Sequence, residues 1–244
     1  MQDSNTDKEL LRLRTRITKR FRHICASHAL LNDGDRVLIA LSGGKDSLAL
    51  VEFLGRQARI FVPRIQVCAV HIRVENRSYV SDTSYLKRFC AQAGVPFHVR
   101  DTAISGEETK DPCFLCSWYR RKALFEAARE LDCNKIAFGH HRDDVLETLL
   151  LNLVYEGRFD TVPPALPLDR MPITLIRPFW AVDEADLARY ALLAGYQKQK
   201  RLCPFESHSH RHDMTKLLLQ LQSFNPDVRS SLIHALARKN MKNQ

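Results

Sequence analysis

The chain has 244 residues, 45% of them hydrophobic, and 37 Lys and Arg against 28 Asp and Glu give a net charge of +9 and a pI near 9.3. That length suffices for one α/β core with added helices, and the charge favours a polyanionic partner, nucleotide or RNA, without choosing between them. No apolar run approaches the roughly 20 residues of a membrane span, and the N-terminus has no hydrophobic signal core. A cytoplasmic protein without a membrane partner is therefore expected, and an odd count of seven cysteines argues for metal ligation by a subset over a disulfide framework.

Residues 8–31 read as a helix, with Leu10, Leu13, Ile17, Phe21 and Ile24 on one stripe and Arg12, Arg14, Arg16, Lys19, Arg20 and Arg22 largely on the others. This N-terminal basic amphipathic unit, residues 1–33, either offers its charged face to RNA or docks with that face solvated. After the Asn32-Asp33-Gly34-Asp35 turn come a strand over 36–41, a glycine turn and a helix to about Ala58. The run Ile65 to Ile72 is apolar but for Gln66 and His71, as expected of a parallel strand covered on both faces. A helix at 81–93 ends at Gly94, with a short strand at 97–100, a helix at 115–131, a strand at 135–138 and a helix at 143–156. Val162 to Pro167 carries three prolines and reads as a stiff surface loop. A strand at 173–176 ends at Pro178, and helices at 183–194, 211–223 and 227–240 close the chain. Five strands separated by helices predict a doubly wound, parallel five-stranded α/β sheet with flanking N- and C-terminal helices. In such a sheet the ligand sits at the carboxyl ends of the strands.

The segment from Val37 to Leu50 carries the most chemistry. A buried strand runs through Ala40 and Leu41 into Ser42-Gly43-Gly44-Lys45-Asp46-Ser47 and straight on into a helix. Gly43 and Gly44 let the backbone approach an anion, the first-turn amides point at it, and Ser42, Lys45 and Ser47 add two hydroxyls and a charge. A Walker A loop needs Gly-x4-Gly-Lys-Ser/Thr, and the adjacent glycines here break that spacing. A carboxylate beside a phosphate site is repulsive unless a cation lies between them, so Asp46 predicts a magnesium ion bridging it to a polyphosphate. Gly139-His140-His141-Arg142-Asp143-Asp144 follows the strand at 135–138 and should face the same edge. Asp144 is the candidate there for metal binding or proton transfer, and Asp143 the candidate helix cap. His71, at the end of its strand, is placed either beside the adenine or in a purely structural role.

Pro112-Cys113-Phe114-Leu115-Cys116 sets two thiols at the start of a helix, where both can face one metal. A redox dithiol, half a zinc site and a cluster site all fit that spacing alone. No second close pair exists; the remaining candidate ligand is Cys203, followed by Pro204. Three thiolates on an iron–sulfur cube would leave one iron open to an exogenous sulfur. Cys25, Cys68, Cys90 and Cys133 sit in apolar or helical contexts and read as core residues.

The Ser42 to Ser47 pattern resembles the PP-loop of the N-type ATP pyrophosphatases, whose fold is of the adenine nucleotide alpha hydrolase type. Together with Cys113-Phe114-Leu115-Cys116, Arg120-Arg121, Gly139 to Asp144, Glu147-Thr148, Ile176-Arg177-Pro178 and Cys203, it resembles more narrowly the cluster-dependent tRNA thiolases, the TtcA-type tRNA 2-thiocytidine synthetases. The resemblance implies a PP-loop domain over residues 34–200 and a cluster-ligand loop and helical tail over 201–244. It also implies ATP bound by residues 40–47 with His71 and Gly139, catalysis by Lys45, Asp46 and Asp144, and a [4Fe-4S] cluster on Cys113, Cys116 and Cys203. Arg120 and Arg121 would meet phosphate or tRNA. A base carbonyl oxygen, expected at C2 of an anticodon-loop cytidine, would be adenylated and replaced by sulfur from a donor such as a cysteine desulfurase, with AMP and pyrophosphate released. Another adenylating ligase, lysidine-forming or amidating, with structural cysteines is the alternative, and homodimerisation stays open. The run His208-Ser209-His210-Arg211-His212 has no regular ligand spacing and reads as a polar loop.

Overall fold

A computed structural model describes residues 2–60, 62–75, 82–104, 112–197 and 210–242. Cys203 lies outside the described residues, as does the His-rich run before His210. In chain order the elements are α1 (Gln2–Ser27), β1 (Arg36–Ala40), α2 (Lys45–Ala58), β2 (Gln66–Val74), α3 (Thr83–Ala93), β3 (Phe97–Thr102) and α4 (Pro112–Glu130). They continue with β4 (Lys135–Ala137), α5 (Arg142–Glu156), β5 (Ala165–Pro167), β6 (Thr174–Ile176), α6 (Glu184–Leu193), α7 (His210–Phe224) and α8 (Val228–Lys242).

The strands form one sheet in the order β3-β2-β1-β4-β6-β5. β1 pairs in parallel with β2 on one side and β4 on the other, and β2–β3 and β4–β6 are also parallel. Chain order therefore reverses direction between β1 and β4, and the loops leaving those two strands diverge to open a crevice. Val37, Leu38 and Ile39 of β1 are wholly buried, which is why the strand is apolar without alternation.

The sheet has six strands, where the sequence predicts five. The extra strand, β5, falls in the proline-rich segment read as a loop and pairs antiparallel with β6. An edge position tolerates this because the outer side of an edge strand needs no amide donor, so Pro167 costs the ladder nothing there. The Arg177 amide donates to the Pro164 carbonyl at 2.8 Å and the Leu168 amide to the Ile173 carbonyl at 3.1 Å, closing the hairpin.

Helix α1 stops at Ser27, short of the predicted Leu31, because Ala29 adopts a left-handed φ of 46°. Its Leu13, Ile17, Phe21 and Ile24 are buried in the same core as β1 and α2. Phe21, Phe53, Phe179 and Tyr190 form a chain of tilted and edge-to-face rings with centroids 5.6–6.3 Å apart, pinning α1, α2 and α6 together. Two cations of α1 take part in this docking, Arg16 reaching Asp186 at 2.5 Å and Arg20 pairing with Asp183, and in the opposite sense Glu9 of α1 receives both arms of Arg189 at 2.7 and 2.8 Å. α4 covers the opposite face over Leu38, Val70, Ile72 and Ile136. α7 and α8 pack on α5 through Leu146, Leu149, Met214, Leu218 and Leu236. Cys25, Cys90 and Cys133 are buried, and burial pushes the Cys25 and Cys90 thiols up to about 12, so those two are inert core groups. Cys68 is half-buried with its sulfur 3.7 Å from that of Cys133.

Candidate active site

The crevice between the carboxyl ends of β1 and β4 is a cavity of about 790 Å³. Ala40, Leu41, Ser42, Gly44, Asp46 and Ser47 line it from the first loop, His71 from β2, and Gly139, His140, His141 and Asp144 from the loop after β4. Arg120 and Arg121 of α4 and Arg177 after β6 complete the wall. Gly43 and Lys45 belong to the same turn without lining the cavity.

Gly43 has a φ of +84°, which lets the chain reverse between β1 and α2. Gly44 is the N-cap of α2 in extended conformation, and no side chain caps the helix. α3 and α5, by contrast, are capped by Asp82 and His141. The first turn of α2 therefore keeps donors and the positive end of its dipole for an anion. The Ser42 hydroxyl donates to the Ser47 hydroxyl at 3.1 Å and accepts from the Gly44 amide at 3.3 Å, and the Ser47 hydroxyl donates to the Gly44 carbonyl at 2.9 Å. Ser47 thus braces the turn. The second loop presses on it: a Cβ on Gly139 would stand 3.0 Å from the carbonyl carbon of Asp46 and 3.2 Å from the Ser47 nitrogen, so only glycine fits without displacing backbone.

Lys45 Nζ lies 3.1 Å from Asp46 Oδ2 and 3.0 Å from Glu184 Oε1. Burial opposes its charge, yet the two carboxylates hold the ammonium above its ordinary value. Asp46 Oδ1, in contrast, is buried with no hydrogen-bond partner among the described residues. An unpartnered carboxylate oxygen at the mouth of an anion site fits a hard cation such as magnesium, which takes oxygen ligands.

The capping at α5 inverts the expected assignment. His141 is the N-cap: its Nδ1 accepts from the Asp144 amide at 3.4 Å, and Asp144 Oδ2 accepts from the His141 amide at 2.9 Å. Asp144 therefore closes a capping box with one oxygen, while Asp143 accepts from the Glu184 amide at 3.0 Å and pairs with Arg229, tying α5 to α6 and α8. With Nδ1 accepting, the His141 proton sits on Nε2, which is 4.0 Å from Asp46 Oδ2. That histidine is therefore a neighbour of the acid.

His71 is 2% exposed. Its Nδ1 lies 2.7 Å from the Leu41 carbonyl, which can only accept, so Nδ1 donates and the partnerless Nε2 is an acceptor. Burial, with Arg120 and Arg73 nearby, lowers the pKa from 6.5 despite the bond to Leu41. The sign follows: below about pH 6.5 the unfolded chain takes up a proton that the folded chain refuses, so stability is full above that pH and is lost on acidification. His28 is shifted the same way by burial and adds to the loss. A His71→Asn variant should show a smaller drop in Tm than the wild type between about pH 7 and about pH 5.5. Equal drops in the two proteins would remove His71 from the acid response.

Arg177 of the Ile176-Arg177-Pro178 motif, to which the sequence assigns no role, stands in the cavity wall. It is 6% exposed, and Nη1 donates to the Pro163 carbonyl at 2.6 Å, yet no carboxylate pairs with it among the described residues. Its Nε has no partner among the described residues, and burial pulls the guanidinium below its ordinary pKa. A buried, uncompensated cation in the cavity wall suits an anionic ligand. The signal in the sequence was an arginine wedged between an apolar strand and Pro178.

Cys116 is half-buried on α4 and bonded to no other cysteine among the described residues. The described residues contain no group of three or more His, Cys, Asp or Glu arranged to hold a metal. No described helix is long and apolar enough to cross a membrane.

The PP-loop domain family matches residues 13–199. The chain belongs to the PP-loop family. The PP-loop chain is 36% identical to the tRNA-cytidine(32) 2-sulfurtransferase of Sorangium cellulosum over 233 residues, covering 93% of this chain and 82% of the relative. It is 32% identical to the Verminephrobacter eiseniae protein of the same name, covering 96% and 76%. At that identity and coverage it falls within their family. Among solved structures, the U34-tRNA thiolase NcsA from Methanococcus maripaludis, which carries a [4Fe-4S] cluster, superposes with a TM-score of 0.76 over 93% of this chain and 78% of its own. Its 22% identity makes that a likeness of fold.

Proposed function

We propose that this PP-loop protein is an ATP-dependent tRNA sulfurtransferase that replaces O2 of an anticodon-loop cytidine with sulfur. One coincidence carries the reading: an uncapped glycine turn and an acid with one buried oxygen left unpaired among the described residues share a cavity, in a chain 36% identical to an enzyme named for sulfur transfer to tRNA cytidine.

The cytidine C2 oxygen is a poor leaving group, and adenylation makes it a good one. The base oxygen attacks the α-phosphorus of ATP, the bond to the β-phosphate oxygen breaks, and pyrophosphate departs. The amides of the Ser42–Ser47 turn and Lys45 cradle the phosphates and spread the charge that develops on the leaving group. Asp46 would hold magnesium through Oδ1, and the ion supplies further charge neutralisation when bound. Asp144 and the His141 it orients stand beside that acid and steady the second loop. His71 offers Nε2 as an acceptor to an amino group, which adenine possesses. Gly139 keeps the two loops close. Cys113, Cys116 and Cys203 are the residues that would hold a [4Fe-4S] cluster, whose open iron supplies a site for the incoming sulfur. A sulfur nucleophile then adds to C2, and AMP leaves with the original oxygen. C2 is reachable only in an unstacked base, which favours an anticodon loop over a duplex. Sulfur is renewed by a cysteine desulfurase or another sulfide carrier, and Arg120 and Arg121 meet the RNA or the phosphate charge.

Thionucleosides measured by mass spectrometry in digested tRNA from a host lacking the gene test this directly. Loss of 2-thiocytidine that the wild-type gene restores is the expected result, and an unchanged profile overturns it.

Arg177 receives a role from the same cavity. Arg177→Met should keep Tm within a few degrees, because the buried charge it removes is unpaired, and should lower kcat/KM for ATP by about 10- to 100-fold through lost charged hydrogen bonds. Titrating ATP against pyrophosphate release checks it, and wild-type kinetics would confine Arg177 to bracing Pro163.

A further inference from the structure

The far side of α4 carries a second concavity, of about 960 Å³, that the adenylation chemistry does not use. Phe114 and Trp118 stand on it one helical turn apart, 60% and 47% exposed, and Met171, from the hairpin between β5 and β6, is 43% exposed. Solvated aromatic side chains gathered with cations on one face mark a binding surface.

The charges select the partner. Arg121, Arg129 and Arg170 line this groove, and none of them pairs with a carboxylate among the described residues. The groove's two acids face other cations: Glu126 Oε1 lies 4.0 Å from Lys122 Nζ within the groove, and Asp132 Oδ2 lies 3.8 Å from Arg36 Nε outside it. Lys122 also sits 5.7 Å from the centre of the Trp118 ring. Exposed π-faces interleaved with uncompensated guanidinium groups are what single-stranded RNA requires, with bases stacking on the rings and phosphates meeting the cations.

Two elements connect the groove to the adenylation cavity. Arg121 lines both, and the β5–β6 hairpin offers Leu166 and Leu175 to the cavity and Arg170 and Met171 to the groove. We propose that the groove between α4 and the β5–β6 hairpin binds unpaired nucleotides of the tRNA substrate, stacking a base on Trp118 and placing the neighbouring target base at the Arg121 end, where the cavity opens. The proposal rests on the tRNA-sulfurtransferase reading.

The chain has two tryptophans, so Trp180→Phe leaves Trp118 as the sole indole reporter. An anticodon stem-loop RNA with cytidine in its loop should quench that fluorescence at saturation, and a blunt duplex of equal length should not. Trp118→Ala should weaken stem-loop binding roughly tenfold, and Arg129→Ala with Arg170→Ala should flatten the salt dependence of log K by about 1 to 1.5 units. Circular dichroism verifies that these surface variants fold. Quenching absent at saturation, together with unchanged affinity in both variants, overturns the groove. So does a changed sedimentation behaviour with unchanged RNA affinity, which would make this face a contact between copies. Wild-type protein that binds through Trp118 yet forms no thionucleoside sinks the enzymatic reading and keeps the groove. Thiolation with equal KM for tRNA in wild type and Trp118→Ala does the reverse.

Discussion

Asp46→Asn should leave the protein folded, with stability within about 1 kcal/mol of wild type, while lowering pyrophosphate release by about 10²- to 10³-fold. Two terms oppose each other in the fold. The substitution relieves a buried carboxylate oxygen that has no partner, and it removes the attraction between Oδ2 and Lys45 at 3.1 Å, a half-exposed pair of small worth. Lys45 keeps Glu184 at 3.0 Å and so does not swing away. The catalytic loss has no such compensation, because an amide neither carries the negative charge that a magnesium ion needs nor restores the balance between that ion and the phosphates. Thermal unfolding and pyrophosphate release, each measured across a magnesium titration, check the pair of outcomes. Full activity in the variant would show that Asp46 holds no metal. A collapsed Tm would mean the carboxylate is structural and that the unpartnered oxygen is satisfied in solution.

How much of this site was readable from sequence depends on the range of the interactions that form it. The turn after β1 was legible because every determinant is local: three apolar residues covered on both faces, two glycines and a helix that follows at once. The convergence of that turn with Gly139 was legible too, since a doubly wound sheet puts both at the carboxyl edge. The caps were not. Asp143 and Asp144 are adjacent and chemically identical, and what separates them is that α6 and Arg229 approach one and His141 the other, through partners 41, 86 and 3 residues away in the chain (184 − 143, 229 − 143 and 144 − 141). Arg177 was legible only as a member of the Ile176-Arg177-Pro178 motif and its role was not, because burial without a carboxylate partner among the described residues is a property of the folded neighbourhood. β5 was missed because three prolines argue against a strand everywhere except at an edge. Lys135, a charge inside an otherwise apolar strand, makes sense only once Asp35 is seen 2.6 Å from its ammonium and the Leu30 carbonyl 2.7 Å away, at the amino end of the sheet and remote from the cavity.

Cys116→Ala separates the two halves of the proposed reaction. Alanine is the best helix former, and Cys116 is half-buried on α4 with no disulfide, so the helix and the ATP cavity should persist. Adenylation depends on the Ser42–Ser47 turn, Asp46 and Arg177, which lie outside α4, so the first turnover of tRNA-stimulated pyrophosphate release, one pyrophosphate per adenylated tRNA, should run near the wild-type rate. Thionucleoside formation should fall at least about 100-fold, since even outer partners of a metal ligand cost 10- to 100-fold when lost, and a ligand costs no less. Iron content and visible absorbance after anaerobic purification should fall together with it. Activity is compared as thionucleoside formed per pyrophosphate released, a ratio that a general loss of folded protein would leave unchanged. Retained thiolation would return the cysteines to a structural role and favour a sulfur-free adenylating ligase. Loss of both activities at full Tm would mean that sulfur loading controls nucleotide binding, coupling α4 to the phosphate turn through Arg120 and Arg121 on their shared cavity wall.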